Sequence, residues 1–215
     1  LKEMVALASV EHNMDTSRII SQQLSDQNGL YGSIADAGGF LYTPPRSQFG
    51  GASILIPVSA AGTPIGNWDR IVLFMDLLLH HREWYLDKPR IAVLNAGSKP
   101  GSAHLLANEL IRFGFNVVSV KNYEEKKDET FVQFSEPVQQ AGSEASSDPN
   151  QKEAIERQKV AQDQATFFAK ALGNLPVSAG QTLTRDESPE IVIVTGKDFS
   201  YTSLPELLTN QKVAE

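Results

Sequence analysis

The residues best suited to bind a ligand lie in a glycine-rich turn that follows an apolar run at residues 90–94. The polar and glycine positions of this turn are Asn95, Gly97, Ser98, Lys99, Gly101 and Ser102. Apolar residues recur at helical spacing immediately after it, so the turn is expected to open a helix. Free N–H groups and the dipole at a helix start favour a phosphate or a carboxylate. The turn is therefore a candidate anion-binding site.

The same turn also has a purely structural interpretation. It lacks both the G-K-[ST] ending of a P-loop and the G-x-G-x-x-G pattern of a dinucleotide-binding fold. Glycines allow a tight turn and close packing of a helix on a sheet. Asn95 is better placed to accept hydrogen bonds from the turn backbone than to contact a ligand. We favour this structural interpretation and keep anion binding as the alternative.

Histidine and aspartate positions give little sign of a metal site. His80 and His81 are adjacent, so on a helix they point about 100° apart and cannot chelate one metal together. His12 and His104 are isolated from the other histidines, and we expect neither to be a metal ligand. Asp198 follows an apolar run and a glycine, so it is either a site carboxylate or, as we favour, a cap for the next turn. The sequence therefore predicts no metal site.

A second candidate binding feature lies near the prolines at 44–45. Tyr42 and Arg46, with the glycine pair at 50–51, could line a groove in which the guanidinium of Arg46 holds an anionic group. We favour instead a proline-stiffened connection between two strands, because Pro and Gly are the usual residues of such turns.

Composition excludes several classes of function. The chain has 215 residues, 41% of them hydrophobic, which suffices for one or two packed domains. A net charge of -7 argues against nonspecific binding to nucleic acid or anionic lipid. The absence of cysteine excludes disulfides and thiolate chemistry. The longest apolar stretch, 71–79, contains Asp76 and is too short to span a membrane.

Four apolar runs and two amphipathic stretches predict a small α/β (α+β) domain. The expected strands are 90–94, 115–120, 130–134 and 191–194, and the expected helices are 102–113 and 152–172. Their β-α-β-β-α-β order is typical of a two-layer split β-α-β sandwich with both helices on one face of the sheet. We expect the first two strands to be parallel and the third to be antiparallel to the second.

The chain is expected to divide near Pro89. A long helix beginning near Trp68 should end there, because the residue before a proline is disfavoured in a helix. This division leaves a partial α/β domain at 1–88 and a second domain at 89–205. Residues 135–150 are rich in Ser, Gln, Glu, Pro and Gly, and we predict a mobile loop there because they bury too little apolar surface to offset ordering entropy.

Two separated motifs resemble the C-terminal domain of LytR-CpsA-Psr family proteins. The first is V-x-N-x-G-x-x-x-G-x-A followed by G-F-x-V, at Val93, Asn95, Gly97, Gly101, Ala103, Ala107, Leu110, Gly114, Phe115 and Val117. The second is an apolar run ending in G-x-D-aromatic, at Gly196, Asp198 and Phe199. Because both occur in the right order, the resemblance spans residues 89–199.

The residues before this segment resemble the end of the family's catalytic domain. They follow the order of a helix end at 1–13, two late strands near 39–57 and an exit helix from 68 to 85. The chain starts at Leu1 rather than at methionine, so we expect it to be a fragment of a longer bacterial protein.

The resemblance implies a parent enzyme that attaches glycopolymers to the bacterial cell wall. Its catalytic domain moves a phosphoglycan from a polyprenyl-pyrophosphate carrier to peptidoglycan outside the cytoplasmic membrane. That chemistry uses clustered arginines and aspartates with Mg²⁺, which neutralise charge on the phosphates. The arginines before residue 88 are widely spaced, at Arg18, Arg46, Arg70 and Arg82. None of them is assigned to such a clamp, and catalytic residues within this chain stay unknown.

We therefore expect a non-catalytic, extracytoplasmic accessory domain acting in cell-envelope assembly, anchored to the membrane through a segment upstream of this chain. Its expected partner is a cell-wall glycopolymer, a polyprenyl-phosphate carrier or an envelope protein, and we expect no nucleic acid and no cofactor. The alternative is an enzyme role. In that case the fragment completes a phosphotransferase whose catalytic residues lie upstream, or the turn at 97–102 binds a nucleotide or sugar phosphate itself.

Overall fold

The architecture was obtained from a computed structural model of the chain. It describes residues 19–20, 24, 39–57, 68–135, 149–180 and 189–208. The predicted helix end at 1–13 and nearly all of the predicted mobile loop at 135–150 lie outside these ranges.

The described residues form both strands and helices. The strands are β1 (Leu41–Tyr42), β2 (Ile56–Pro57), β3 (Ile91–Asn95), β4 (Val117–Asn122), β5 (Phe131–Ser135), β6 (Val177–Gly180) and β7 (Ile191–Thr195). The α-helices are α1 (Asp69–His80), α2 (Arg82–Asp87), α3 (Ser102–Arg112) and α4 (Pro149–Ala171), with a 3-10 helix at Arg46–Phe49 and a short helical turn at 204–208. None of these helices is long and apolar enough to cross a membrane.

A five-stranded mixed sheet in the order β4-β3-β7-β5-β6 forms the main layer. Strand β3 runs parallel to both β4 and β7, and β5 runs antiparallel to β7. The predicted α/β sandwich is confirmed, but the predicted pairing of β5 with β4 is wrong. Strand β7, the last in the sequence, lies between the two β-α-β units, because its Ile-Val-Ile-Val run fills the most buried position of the sheet.

The fifth strand, β6, is missing from the sequence-based prediction. Its residues Val-Ser-Ala-Gly are small and mostly exposed, and they pair parallel to β5 at the edge of the sheet. A strand of this composition has neither an apolar run nor a clear alternation of apolar and polar residues. It is recognisable only once its neighbour is in place.

Helices α3 and α4 pack on one face of the sheet, as predicted. Leu106 and Leu110 of α3, with Phe168 of α4, are fully buried in one core with Ile91 and Ile193 of the sheet. Helix α3 ends in the expected way, because Gly114 takes the left-handed conformation at φ 83° that glycine adopts without strain.

The predicted single helix from 68 to 85 is two helices. It breaks at His81, whose φ of -125° and ψ of 45° are not helical, and α2 then ends at Asp87 as expected. Tyr85 of α2 stacks on Phe115 with ring centroids 5.8 Å apart. Phe74 of α1 joins the same core cluster. Side chains from before Pro89 thus complete the core of the sheet domain, whereas the proposed domain boundary itself stays a prediction.

Upstream of α1, the described residues form a small antiparallel strand pair. Strand β1 pairs with β2, with Leu41 opposite Pro57. Phe40, which precedes β1, is buried with its ring 5.1 Å from that of Phe74 and 5.3 Å from that of Phe113. This ring contact ties the strand pair to the helical layer.

Candidate functional site at the carboxyl end of strands β3 and β7

The predicted anion-binding turn lies at one edge of the sheet. Strands β3, β4 and β7 are parallel, so their carboxyl ends meet there, and ligands of α/β sheets bind at such edges. Asn95 ends β3 and Thr195 ends β7, directly opposite each other in the register. The turn at 96–101 leads from β3 into α3.

Hydrogen bonds within the fold engage the polar side chains of this turn. Asn95 Oδ1 accepts a bond from the backbone N–H of Gly97 at 2.9 Å and one from Ser98 Oγ at 3.1 Å. Ser98 Oγ also lies 3.0 Å from Thr195 Oγ1, and the Ser98 side chain is buried. The prediction that Asn95 binds the turn backbone is confirmed. The turn and the end of β7 are thereby joined.

The glycines of the turn meet two different requirements. Gly97 has a φ of 138°, and a Cβ there would lie 3.1 Å from Lys197 Cγ and 3.4 Å from the backbone oxygen of Lys127. Gly101 has a φ of 88°, and a Cβ added there would have no neighbour within 4 Å, so this position needs glycine for its backbone conformation alone.

The segment at 126–130 crosses this edge and links the two strand ends. The N–H of Lys127 donates to the carbonyl oxygen of Ala96 at 2.7 Å, and the N–H of Lys197 donates to the carbonyl oxygen of Lys127 at 3.1 Å. The N–H of Asp198 donates to the carbonyl oxygen of Asp128 at 3.1 Å. Backbone hydrogen bonding of the sheet therefore continues past the ends of β3 and β7.

The G-x-D-aromatic motif has a physical explanation at this crossing. A Cβ on Gly196 would lie 2.5 Å from the carbonyl carbon of Glu129, so only glycine fits against that backbone. Thr130 Oγ1 accepts a bond from the Gly196 N–H at 2.9 Å and donates to Asp198 Oδ1 at 2.6 Å. Phe199 is buried in the core. Asp198 thus has a structural role as favoured, but it holds Thr130 on the crossing segment instead of capping the next turn.

Charged side chains around the edge pair with one another. Lys127 Nζ lies 2.7 Å from Glu125 Oε2, and the hydrogen bond and positive charge of Lys127 lower the pKa of Glu125. Lys197 Nζ lies 2.5 Å from Asp128 Oδ1, and the same two effects lower the pKa of Asp128. Lys99 is exposed in the turn itself. An anion at the start of α3 would therefore meet backbone N–H groups and Lys99, which stays a prediction.

The predicted groove residues belong to the β1-β2 strand pair and its connection, a sheet separate from the five-stranded one. Arg46 is exposed in the 3-10 helix that connects β1 to β2, whose C-cap Gly50 is left-handed at φ 61°. Tyr42 pairs with Ile56 in the strand ladder, and its side chain lies outside the described part of the structure. The segment does connect two paired strands, as the favoured interpretation expects, and a groove at Tyr42 and Arg46 stays a prediction.

The two adjacent histidines point to different surroundings. His80 is exposed, and its Nδ1 lies 3.0 Å from Asp76 Oδ1. His81 stacks on Trp84 with ring centroids 3.8 Å apart. Trp84 in turn donates from Nε1 to Asp163 Oδ2 at 3.1 Å, which ties α2 to α4. Within the described ranges, no three His, Asp or Glu side chains lie close enough together to hold a metal ion.

A buried ion cluster joins α1 to α3 and was missed in the sequence. Glu109 Oε2 lies 2.6 Å from Arg112 Nη1 and 3.5 Å from Arg70 Nη2, and the side chains of Glu109 and Arg70 are 0% and 5% exposed. Burial, followed by the negative charge of Glu109, raises the pKa of Tyr201 to about 12. The available signal was the opposite-charge pair Glu109-Arg112 at i,i+3 on the helix.

Replacing Asn95 with alanine tests the hydrogen-bonded turn. The variant removes the acceptor of two bonds and leaves the buried Ser98 hydroxyl with only its contact to Thr195, so we expect a loss of about 1–3 kcal/mol of unfolding free energy. Urea unfolding followed by tryptophan fluorescence measures it. Asn122→Ala is the matched control, since Asn122 lies opposite Asn95 on β4 and is exposed. Equal midpoints for the two variants would contradict the role of Asn95.

Comparison with known proteins gives a match to a family model. No curated protein and no solved structure matches the chain. The family described as LytR cell envelope-related transcriptional attenuator, LytR_C, matches residues 88–199, which include the turn after β3, the crossing segment and the closing strand β7. The matched bounds agree with the C-terminal resemblance predicted from the two motifs. Since the match covers just over half of the 215 residues, the chain belongs to the LytR_C family.

Proposed function

We propose that residues 88–199 act as a non-catalytic accessory domain that binds or positions a component during cell-envelope assembly. One observation carries this proposal: the polar side chains in the centre of the carboxyl edge, at the ends of β3 and β7 and on the crossing segment, hold the fold together. Asn95, Ser98 and Thr195 bond to one another or to the turn, and Thr130 bonds to Asp198. Catalysis needs side chains directed at a substrate, whereas binding can use surface shape and backbone groups.

The proposal places the domain outside the cytoplasmic membrane, anchored through a segment upstream of this chain. Residues 1–88 would then be the end of a LytR-CpsA-Psr catalytic domain, whose Mg²⁺-dependent phosphotransferase chemistry uses residues further upstream. The shared core supports a fixed connection between the two parts, since Phe74 and Tyr85 pack with Phe115. The ligand is a cell-wall glycopolymer, a polyprenyl-phosphate carrier or an envelope protein.

Two assays on residues 1–215 test the proposal. In the first, the protein is incubated with a polyprenyl-pyrophosphate-linked glycan, peptidoglycan and Mg²⁺, and we expect no transfer above a protein-free blank. In the second, the protein is sedimented with cell-wall sacculi that either carry or lack attached glycopolymer. We expect the protein to sediment with one of these two kinds of sacculi. Glycan transfer that Arg46→Ala abolishes would replace the accessory role with an enzyme role.

Anion binding at the start of α3 is tested separately. Titration with inorganic phosphate or a sugar phosphate should shift the backbone amides of Lys99 and of residues 101–103 if the helix start binds an anion. Lys99→Gln should weaken the shifts, and Lys121→Gln, an exposed lysine on β4, is the control. Unchanged amide positions at millimolar phosphate would leave the turn with its structural role alone.

A further inference from the structure

Residues 200–208 follow the family match and pack on the core of the sheet domain. The match ends at residue 199, and the residues after it lead into the short helical turn at 204–208. Leu204 is fully buried in the core cluster, and Tyr201 and Leu208 pack against that cluster. We call residues 200–208 the strap.

Side chains attach the strap to the rest of the fold. The strap belongs to neither of the two sheets that the described residues form, and the N–H of Leu207 donates to the carbonyl oxygen of Ser203 within the strap at 3.0 Å. Ser203 Oγ is buried and has no hydrogen-bond partner among the described residues. That cost is recovered when the strap opens to water. A segment attached in this way opens locally while the sheet stays folded.

Tyr201 of the strap lies beside the buried ion cluster of Arg70, Glu109 and Arg112. Burial raises the pKa of the Tyr201 hydroxyl to about 12, the negative charge of Glu109 raises it further, and the two arginines oppose this effect. All three charged groups of the cluster thus act on one hydroxyl of the strap, which places that hydroxyl close to the cluster.

The ion cluster depends on the exclusion of water. The side chains of Arg70, Glu109 and Arg112 are 5%, 0% and 8% exposed. An ion pair that water reaches contributes little to stability, because the solvent screens the two charges. Arg70 belongs to α1, whereas Glu109 and Arg112 belong to α3. Water at the cluster would therefore weaken the link between the two helices.

We propose that the strap is a releasable lock on helix α1. In the closed state, Tyr201 and Leu204 keep water from the Arg70-Glu109 pair and hold the first turn of α1 on α3. In the open state the pair is hydrated and the first turn of α1 loosens, while the sheet stays folded. The lock couples the chain after the family match to the chain before it, since α1 ends before residue 88 and the strap begins after residue 199.

The other contacts of α1 determine where the loosening should appear. Phe74 and Leu77 hold the later turns of α1 in the core. Arg70 lies in the first turn, where the N–H of Val72 donates to the carbonyl oxygen of Trp68 at 2.8 Å. Opening of the strap should therefore expose the backbone amides of residues 72–74 more than those near the end of the helix.

Amide hydrogen exchange of residues 1–215 tests the lock. Leu204→Ala removes the buried anchor of the strap, and the amides of residues 72–74 should then exchange about tenfold faster relative to the amides of β3. A loss of stability of the whole fold accelerates exchange in both places alike. The ratio of the two rates therefore separates the lock from a general destabilisation.

Leu175→Ala is the control for Leu204→Ala. Leu175 packs on the same core in the connection between α4 and β6. This variant should accelerate exchange at Val132, whose N–H donates to the carbonyl oxygen of Pro176 at 3.0 Å. The ratio of exchange at residues 72–74 to exchange in β3 should stay unchanged.

Ionisation of Tyr201 reports the state of the strap in the unmodified chain. With ¹³C-labelled tyrosine, Tyr201→Phe identifies the NMR signal of Tyr201. In the unmodified chain this signal should remain that of a neutral phenol at about pH 10.5, where an exposed tyrosine is more than half ionised. In Leu204→Ala the signal should shift at this pH, because the open strap exposes the hydroxyl to water.

Three results would overturn the proposal. They are an unchanged exchange ratio in Leu204→Ala, the same change of ratio in Leu175→Ala, and ionisation of Tyr201 near pH 10 in the unmodified chain. If Leu204→Ala does not fold, Leu204→Val, which leaves a smaller void, replaces it in both measurements and is held to the same results.

Discussion

Changing Glu109 to glutamine should lower the unfolding free energy by about 3–5 kcal/mol, the usual cost of breaking a buried ion pair by removing one partner. The substitution keeps the size of the side chain and removes its charge. Arg112 and Arg70 would then lose the carboxylate that lies 2.6 Å and 3.5 Å from their guanidinium groups. Urea unfolding followed by tryptophan fluorescence measures the change, since Trp84 lies in the same core.

The control for Glu109 is the same substitution in an exposed pair. Glu125→Gln removes the partner of Lys127 at the surface, where solvent screens the charges, and should leave the unfolding midpoint within experimental scatter. A Glu109→Gln midpoint that matches this control would mean that the buried cluster does not hold α1 on α3.

Changing Gly196 to alanine should lower the unfolding free energy by about 3 kcal/mol, near the upper end of the usual range for overpacked sites. The new Cβ would lie 2.5 Å and 2.6 Å from the carbonyl carbon and oxygen of Glu129 and 2.9 Å from the backbone oxygen of Asp128. These are backbone atoms, so no side-chain rotation relieves the overlap. Amide hydrogen exchange should accelerate at Lys197 and Asp198, whose N–H groups bond to the same segment.

Gly101→Ala is the matched control for Gly196. Gly101 has a φ of 88°, and no atom lies within 4 Å of the added methyl group. The variant should therefore lose only the about 1–2 kcal/mol of unfolding free energy that a left-handed backbone costs a residue with a side chain. In the Gly101→Ala variant, the amide hydrogen exchange rates of Lys197 and Asp198 should stay unchanged. If the loss at Gly101 equals or exceeds that at Gly196, close approach of the crossing segment is not the reason for glycine at position 196.

Helices and strands whose ends are determined by residues close in sequence were predicted correctly. The apolar run of β3, the glycine that ends α3 at Gly114 and the proline after α2 each act within a few residues, and each prediction is confirmed. Asn95 was assigned correctly for the same reason, because its bond goes to Gly97 two residues on.

Features that depend on distant residues were not predictable in this way. The place of β7 between β3 and β5 depends on pairing with β3, which lies a hundred residues earlier in the chain. Edge strand β6 has too little side-chain pattern to be recognised alone. The roles of Gly196 and Asp198 depend on Thr130 and the crossing segment around it, some 66 residues earlier in the chain.

The matched family segment and the packed core do not have the same limits. The family match begins at residue 88, whereas Phe40, Phe74 and Tyr85 share one core with Phe115. A chimera that exchanges residues 88–199 between two proteins would therefore carry Phe115 without its partners. Phe115 would then pack against the residues that the recipient protein has at positions 40, 74 and 85. A junction placed before β1 keeps both groups of aromatic residues from the same protein. The segment that can be exchanged with its core intact is therefore longer than the segment that the family match covers.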